Sequence, residues 1–318
     1  MVNPIPGVLG HFEHELRTVL SAAGATSVVV RAGAPIEGLS AVRKVGVTLG
    51  TVVGRLALRA EASGTLVLWP AFGYLDALTW IARARRTPVL LLVHDVQPLR
   101  PQLGYSRTAR RLFAWAVHRS RVQPVCLTTA AADELRSLTG VTPIVVPHPV
   151  ARPAPTPTEL PDRTRRPVRV LGQHKTAREV SSLHAIATGL GGACALEIKG
   201  RGWGEVSGWD VDSRFLSDEE FDSAIATSGC LVLPYARFYQ SGVAVRALEH
   251  GVPVVARRHP HLEELFGASW PGFVEDEDWP AAVRRALSLS RTSILQRREH
   301  VIDVVVRSWS AVLEKTLR

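Results

Sequence analysis

The sequence has few of the residues that define disulfide-rich or metal-stabilised proteins. Only three of its 318 residues are cysteines, and Cys126, Cys194 and Cys230 lie far apart. Each lies in or beside an apolar run, so we expect buried free thiols rather than metal ligands or disulfides. No apolar run reaches the roughly 18 residues that span a membrane, and the first residues lack the basic-then-apolar pattern of a signal peptide. We therefore expect a cytoplasmic protein.

Acidic residues are outnumbered by basic ones. The chain has 38 Lys and Arg against 29 Asp and Glu, which gives a net charge of +9. This excess permits binding to nucleic acid, an anionic membrane or a phosphorylated ligand. Zinc-finger, RNA-binding and helix-turn-helix motifs do not occur in the sequence, so nucleic acid is not an expected partner. Because 46% of the residues are hydrophobic, a wholly disordered chain is excluded.

Strand-like apolar runs alternate with segments of helical periodicity along the whole chain. This pattern predicts an α/β protein with parallel sheets covered by helices on both faces. The length favours two domains, and the Pro-rich segment 151–167 is predicted to link a domain at 1–150 to one at 168–318. Only nine residues precede the first predicted helix, at 10–23, so the strand that normally opens such a domain is either missing or the chain begins late. Residues 38–63 are predicted to form a loop and a helix.

Residues 230–256 form the most informative pattern. The run Leu231–Leu233 predicts a buried strand, and a helix is predicted from Val243 to His250, where Gly251 ends it. A loop containing Ser241 and Gly242 opens this helix. Because the first amides of a helix favour negative charge, the loop predicts an anion site, although both residues could serve only as a helix cap.

The stretch LVLPYARFYQSGVAVRALEHGVPVVA resembles the donor-binding region of GT-B glycosyltransferases. The resemblance implies two Rossmann-like, doubly wound parallel-sheet domains facing a cleft, with a nucleotide-sugar donor in the second domain. It places Ser241, Gly242 and Val243 at the donor and Glu249 against its ribose; the alternative for Glu249 is a solvated helix residue. Ser241 stands where the commonest form of the family has a glutamate. The Ser-Gly variant is similar to a subgroup of bacterial exopolysaccharide and glycan transferases, some of them mannosyltransferases.

Three further residues resemble the loop that holds the donor diphosphate in this family: Gly172, Lys175 and Arg178. Gln173 occupies the position where the family usually has a basic residue, so Lys175 and Arg178 are expected to carry the charge. The alternative is that both are ordinary surface cations at the start of a helix predicted at 177–189.

The segment VHDVQP at 93–98, which follows Trp69-Pro70, resembles the first domain of the same enzymes. His94 matches the histidine placed beside the transferred sugar, and the alternative is a buried core histidine. Asp95 is a candidate catalytic base or a helix cap. His94 and Asp95 therefore complete the predicted catalytic residues.

A basic helix is predicted at 105–121. Six arginines and no acidic residue lie between Asp95 and Asp133. A helical wheel places Arg107, Arg110, Arg111, His118 and Arg121 on one face, opposite Tyr105, Leu112 and Ala116, with Arg119 towards the apolar side. The helix either covers a sheet with a solvated basic face or docks on an anionic membrane surface.

The sequence thus predicts a glycosyltransferase that needs no metal or cofactor, because helix amides and fixed cations can stabilise a leaving diphosphate. The donor would be a nucleotide-sugar, with GDP- and UDP-sugars as candidates, and the acceptor a glycan or a lipid-linked hydroxyl. Peripheral association with the inner face of the membrane would suit the latter. Two alternatives remain: a non-catalytic nucleotide-sugar-binding subunit on the same fold, and an α/β enzyme such as an epimerase.

Overall fold

The computed structural model describes residues 1–4, 9–31, 62–98, 102, 104–153 and 162–317. The chain divides into two compact units, Met1–Pro149 with Val304–Arg318, and Val150–Asp303. In the described residues each unit contains one six-stranded sheet, and all paired strands in both sheets are parallel. The predicted α/β class is therefore confirmed.

The sheet of the first unit has the strand order β2-β1-β3-β4-β5-β6. Its strands are β1 Val2–Asn3, β2 Val30–Arg31, β3 Thr65–Val67, β4 Val89–Leu92, β5 Val122–Cys126 and β6 Ile144–Val145. Its described helices are α1 Gly10–Ala22, α2 Asp76–Ala84 (entered through a 3-10 turn, Gly73–Leu75), α3 Arg107–Arg119 and α4 Thr129–Thr139.

The sheet of the second unit has the order β12-β11-β10-β7-β8-β9. Its strands are β7 Val168–Leu171, β8 Leu196–Lys199, β9 Asp210–Asp212, β10 Cys230–Leu233, β11 Val254–Arg257 and β12 Phe273–Val274. The helices that follow β7 are α5 Val180–Leu190, α6 Asp218–Ala226, α7 Gly242–His250, α8 Pro260–Phe266, α9 Trp279–Leu287 and α10 Arg291–Leu317. A 3-10 turn, Arg163–Arg165, precedes β7. None of the helices described here has the length and apolarity needed to cross a bilayer.

The central strands are buried along their whole length, and apart from Arg169 in β7 their residues are apolar. Every residue of β4, β7 and β10 is buried, as expected where helices cover both faces of a parallel sheet. In the second unit, Trp279 from α9 and Leu183 and Ile186 from α5 pack in one cluster with strand residues. Since the strands are parallel, β7, β8, β10 and β11 all end at the same edge of their sheet. Ligand sites of such sheets lie outside that edge.

The start of the first unit corrects the expectation that an opening strand is missing. Val2 pairs with Val30 of β2 and with Val67 of β3, so β1 lies inside the sheet. A two-residue strand has no periodicity of its own and is defined by its neighbours. Strand β5 begins at Val122 and includes Pro124, which has no amide hydrogen to donate to a neighbouring strand.

The second unit differs from the prediction in three places. Helix α5 begins at Val180 rather than 177, because a turn precedes it in which the Arg178 amide donates to the Lys175 carbonyl at 2.9 Å. Strand β9 and helix α8 were not predicted.

The helix expected within 38–63 lies almost entirely outside the described residues, and the linker at 151–167 stays a prediction.

Candidate functional site

Two tight loops meet where β7 and β8 end. Gly172 and Gly200 both have positive φ, at 93° and 147°. A Cβ atom on Gly200 would lie 2.5 Å from the carbonyl carbon and oxygen of Gly172, so only glycine fits there. The Trp203 indole donates to the Gly172 carbonyl at 2.9 Å. Backbone approach and one tryptophan therefore hold the loop that the sequence assigned to the diphosphate.

Arg178 reaches back into this loop and is buried, with 8% of its surface exposed. Its Nη2 donates to the Leu171 carbonyl at 2.9 Å. Its guanidinium lies 5.2 Å from the ring centre of Trp203 and 5.0 Å from that of Tyr235, in cation–π contacts. Burial lowers the pKa of Arg178 from its ordinary value.

The charge of Arg178 has no carboxylate partner among the described residues. Its Nε is buried and has no hydrogen-bond acceptor among the residues that the structure describes. A buried charge is costly unless it is paired. An arginine left in this state at the ligand-binding edge of a parallel sheet is what an anion site requires.

The segment before α5 is attached to the loop that leads into α7. The Glu179 amide donates to the Pro234 carbonyl at 2.8 Å, and the Ala236 amide donates to the Ala177 carbonyl at 2.8 Å. Arg178 and Tyr235 form the bridge between these two hydrogen bonds. The structure therefore joins the Lys175–Arg178 turn to the loop that ends at Ser241.

Lys175 is exposed on that turn, beside Gln173, which is also exposed. The Gln173 side-chain carbonyl lies 3.4 Å from Nη2 of Arg201. Gln173 is thus uncharged itself, but its side chain contacts the cationic side chain of Arg201. Arg201 was not among the predicted site residues; it lies in a turn between Gly200 and Gly202.

The N-terminus of α7 has the predicted form. Ser241 is buried and its hydroxyl accepts a hydrogen bond from the Ala244 amide at 3.2 Å. Gly242 is exposed, and a Cβ atom there would meet no neighbour within 4 Å. The amides of Gly242 and Val243 lie in the first turn, where a helix offers no internal acceptor. Ser241 is therefore the cap of α7, and its hydroxyl accepts from the third amide of the helix rather than from the first two.

Glu249 lies at the other end of α7 and is almost fully buried, with 1% of its surface exposed. Its carboxylate accepts a hydrogen bond from the Ala151 amide at 2.7 Å, and its backbone carbonyl accepts one from Arg298 at 2.7 Å. Glu249 is thus not the solvated helix residue of the alternative interpretation. Its role against a donor ribose stays a prediction.

In the first unit, His94 follows β4 and is buried in an aromatic cluster. Its ring stacks on Trp69 at a centroid distance of 4.9 Å and meets the edge of Phe12 at 5.0 Å. Nε2 lies 2.8 Å from the Leu68 carbonyl oxygen, and since a carbonyl only accepts, Nε2 carries the hydrogen. Burial is the main cause that lowers the pKa of His94 to about 3, and His148 adds to the effect.

His94 is therefore neutral at physiological pH, with Nδ1 as the acceptor nitrogen of its ring. Asp95, the next residue, is exposed. His148 contacts the same Phe12 ring at 5.2 Å and was not among the predicted site residues. The sequence carried one signal for His148. This histidine follows the last strand of the unit and therefore lies at the same sheet edge as His94.

The two units have the GT-B fold, as the sequence predicted. No protein-family model matches the sequence, and no curated protein matches it either. Solved structures do match in fold. The chain is similar to the crystal structure of TarM, with 12% identity, a TM-score of 0.63 and coverage of 85% of this chain and 58% of that one.

Two further solved structures match at a comparable level. The α,α-trehalose-phosphate synthase (UDP-forming) from Burkholderia vietnamiensis has 11% identity and a TM-score of 0.60, with 96% of this chain and 84% of that chain covered. The pneumococcal O-GlcNAc transferase GtfA, solved with UDP and GlcNAc, has 12% identity and a TM-score of 0.57, with 84% and 60% covered. The present chain thus spans less than two-thirds of the length of TarM and of GtfA.

Proposed function

We propose that the protein is a glycosyltransferase that moves a sugar from a nucleotide-sugar to a hydroxyl of a glycan or lipid-linked acceptor. The observation that carries this proposal is Arg178, a buried cation without a carboxylate among the described residues. It lies on a turn that is hydrogen-bonded to the loop before α7. A nucleoside diphosphate is a ligand that would compensate this charge and use the first amides of α7.

The leaving diphosphate determines what these residues do. As the acceptor oxygen bonds to the anomeric carbon, the bond from that carbon to the diphosphate oxygen breaks and the diphosphate keeps the electron pair. Arg178, Lys175 and the amides of Gly242 and Val243 would stabilise the developing charge, and that stabilisation needs no metal. Glu249 would accept hydrogen bonds from the donor ribose. The names of the structural neighbours favour UDP-sugars as the first donors to test.

His94 has a narrower role in this proposal than that of a general base. A group with a pKa of about 3 accepts a full proton poorly at neutral pH. Neutral His94 would hydrogen-bond the transferred sugar. In an inverting reaction the acceptor proton would go to a carboxylate, for which exposed Asp95 is the candidate. In a retaining reaction the departing diphosphate itself can take that proton.

A bacterial polysaccharide pathway and mannose as the sugar are the finer expectations of the resemblance.

A non-catalytic nucleotide-sugar-binding subunit is the second candidate. It is favoured by Ser241 and Gln173, which replace an acidic and a basic residue of the commonest family pattern. A missing opening strand would also have favoured this candidate, but the first unit has that strand, β1. Both candidates bind a nucleotide-sugar, and only the transferase consumes it.

The test is a thermal-shift screen with GDP, UDP, ADP and their sugars, followed by assays of nucleotide-sugar hydrolysis and transfer. A ligand at 100 times its Kd stabilises the folded protein by about 2.7 kcal/mol, which raises Tm by roughly 5–10 °C in a domain of this size. Absence of any shift and of any turnover would refute the transferase. A shift without turnover would favour the binding subunit.

Glu249→Ala tests the donor site within the same screen. We expect it to weaken nucleotide-sugar binding. Because Glu249 also accepts from the Ala151 amide, its unliganded Tm must be measured beside the shift. If Glu249→Ala folds and binds the nucleotide-sugar as tightly as wild type, the assignment of Glu249 to the donor is wrong.

A further inference from the structure

Helix α3 exposes two apolar side chains, and the sequence had placed one of them, Leu112, opposite the basic face. The helix buries Ala109, Phe113 and Ala116 against the first unit. Leu112 is 38% exposed and Trp115 is 51% exposed. They are three residues apart and therefore neighbours on one helix face. The prediction that Leu112 lies with Tyr105 and Ala116 on the side opposite an exposed basic face is thus wrong for Leu112, because α3 is rotated about its axis relative to that prediction.

Arginines surround this apolar pair. Arg107, Arg111 and Arg119 are exposed on α3, with His118 beside them. None of these arginines forms an ion pair with another described residue, and no acidic residue lies between Asp95 and Asp133. The helical wheel placed Arg119 towards the apolar side of the helix, but its side chain is exposed. The exposed face of α3 therefore combines an aromatic–aliphatic pair with uncompensated positive charge.

We propose that this face of α3 docks on an anionic membrane surface, with Leu112 and Trp115 entering the boundary between headgroups and acyl chains. The arginines would remain among the anionic headgroups. Charge complementarity favours lipid over a second copy of this chain, because two such faces would bring like charges together. Tryptophan is also the side chain most suited to a membrane–water interface.

Insertion distinguishes this inference from a purely electrostatic contact of a basic helix. Electrostatic attraction alone disappears as salt screens it, whereas buried apolar surface adds binding that salt does not remove. The inference that α3 docks on a membrane depends only on the exposed residues of α3. Its use in reaching a lipid-linked acceptor rests on the proposed function.

The experiment is co-sedimentation of the full chain with sucrose-loaded vesicles. One set contains phosphatidylcholine with about 30% phosphatidylglycerol, which gives the vesicles a negative surface potential, and the other contains phosphatidylcholine alone. We expect binding to the anionic vesicles, with little to the neutral ones. Leu112→Ser with Trp115→Ser should weaken that binding by about tenfold or more. Arg111→Gln with Arg119→Gln should weaken it by about fivefold per arginine and reduce its salt dependence.

Phe215→Ser is the matched control, because Phe215 is 77% exposed but belongs to the second unit. It should bind vesicles like wild type. Equal binding to anionic and neutral vesicles, or wild-type binding by the Leu112/Trp115 variant, would overturn the proposal. So would a wild-type dimer in light scattering that this variant abolishes, since a second copy would then cover the face. The nucleotide thermal shift, measured on the same samples, separates failure of docking from failure of the proposed function.

Discussion

Replacing Arg178 with methionine should weaken the binding of a nucleoside diphosphate without unfolding the protein. Methionine keeps much of the length of arginine and can still pack between Trp203 and Tyr235. It removes a charge that the described residues do not compensate with a carboxylate. An arginine that served packing alone would behave differently, because its removal would cost stability and leave ligand affinity unchanged.

The expected stability change is small because two effects oppose each other. The variant loses two cation–π contacts, worth roughly 0.5–1 kcal/mol each, and a hydrogen bond from the charged guanidinium to the Leu171 carbonyl, worth about 1.5–3 kcal/mol. It also no longer buries an unpaired guanidinium, a cost of several kcal/mol in a dry site that the 8% exposure of Arg178 reduces only slightly. We expect the free energy of unfolding to change by no more than about 1 kcal/mol, and Tm by about 4 °C or less.

The expected change in binding is larger. A hydrogen bond to a charged group contributes about 1.5–3 kcal/mol, so loss of the Arg178 contact should raise the Kd for UDP or GDP by roughly 10- to 150-fold. Isothermal titration calorimetry measures this Kd, and urea unfolding measures the stability. Unchanged affinity would refute the assignment of Arg178 to the diphosphate. A destabilisation beyond about 3 kcal/mol would indicate a structural role instead.

Arg169→Met is the matched control. Arg169 has the same 8% exposure and lies on β7, but its Nε donates to Glu197 at 2.7 Å and its Nη1 to the Ala224 carbonyl at 2.7 Å. Its removal breaks a buried ion pair and should cost about 2–4 kcal/mol of stability. Its side chain faces α6 rather than the predicted donor loops, so nucleotide affinity should be unchanged. The two variants should therefore give opposite patterns of stability and binding.

Three further predictions concern His94, the cap of α7 and the loop glycines. The pKa of His94 is lowered from 6.5 to about 3, so between these values the unfolded chain binds a proton that the folded protein does not, and stability should fall as pH drops through this window. Urea midpoints of His94→Gln should fall less steeply there than those of wild type. Ser241→Ala should cost about 1 kcal/mol in urea unfolding and Ser241→Gly only a few tenths, and equal stability of all three proteins would contradict the cap. Gly200→Ala should lower Tm strongly, because its Cβ would meet the Gly172 backbone, whereas Gly204→Ala, which meets nothing within 4 Å, should be tolerated.

The strongest sequence patterns predicted the elements that now position the candidate site. The run Leu231–Leu233 and the helix ended by Gly251 carry their own signals, namely a buried apolar run bounded by Pro234 and a glycine suited to a left-handed cap. Such local signals do not depend on the rest of the fold. That is why β10 and α7 appear within about one residue of the predicted bounds.

Features that depend on contacts between distant residues could not be predicted in this way. Strand β1 exists because Val2 pairs with residues 28 and 65 positions further on, and the role of Trp203 depends on the Gly172 carbonyl, 31 residues earlier. The exposure of Leu112 depends on how α3 packs on α2. A helical wheel gives the angles between side chains but not which angle faces the protein.

Serine at position 241, where the enzymes that the chain resembles commonly have glutamate, separates the two halves of the proposed function. A carboxylate at the start of α7 would partly neutralise the positive end of the helix dipole. Ser241 instead accepts one amide hydrogen bond from Ala244 without adding charge, so the field of the helix remains available to an anionic ligand. The same difference removes the carboxylate that the commonest form of those enzymes has there, and with it the support that the resemblance gives to contacts with the donor sugar. The residues of this chain therefore support diphosphate binding more directly than recognition of the sugar, and nucleotide affinity and sugar transfer have to be measured as separate properties.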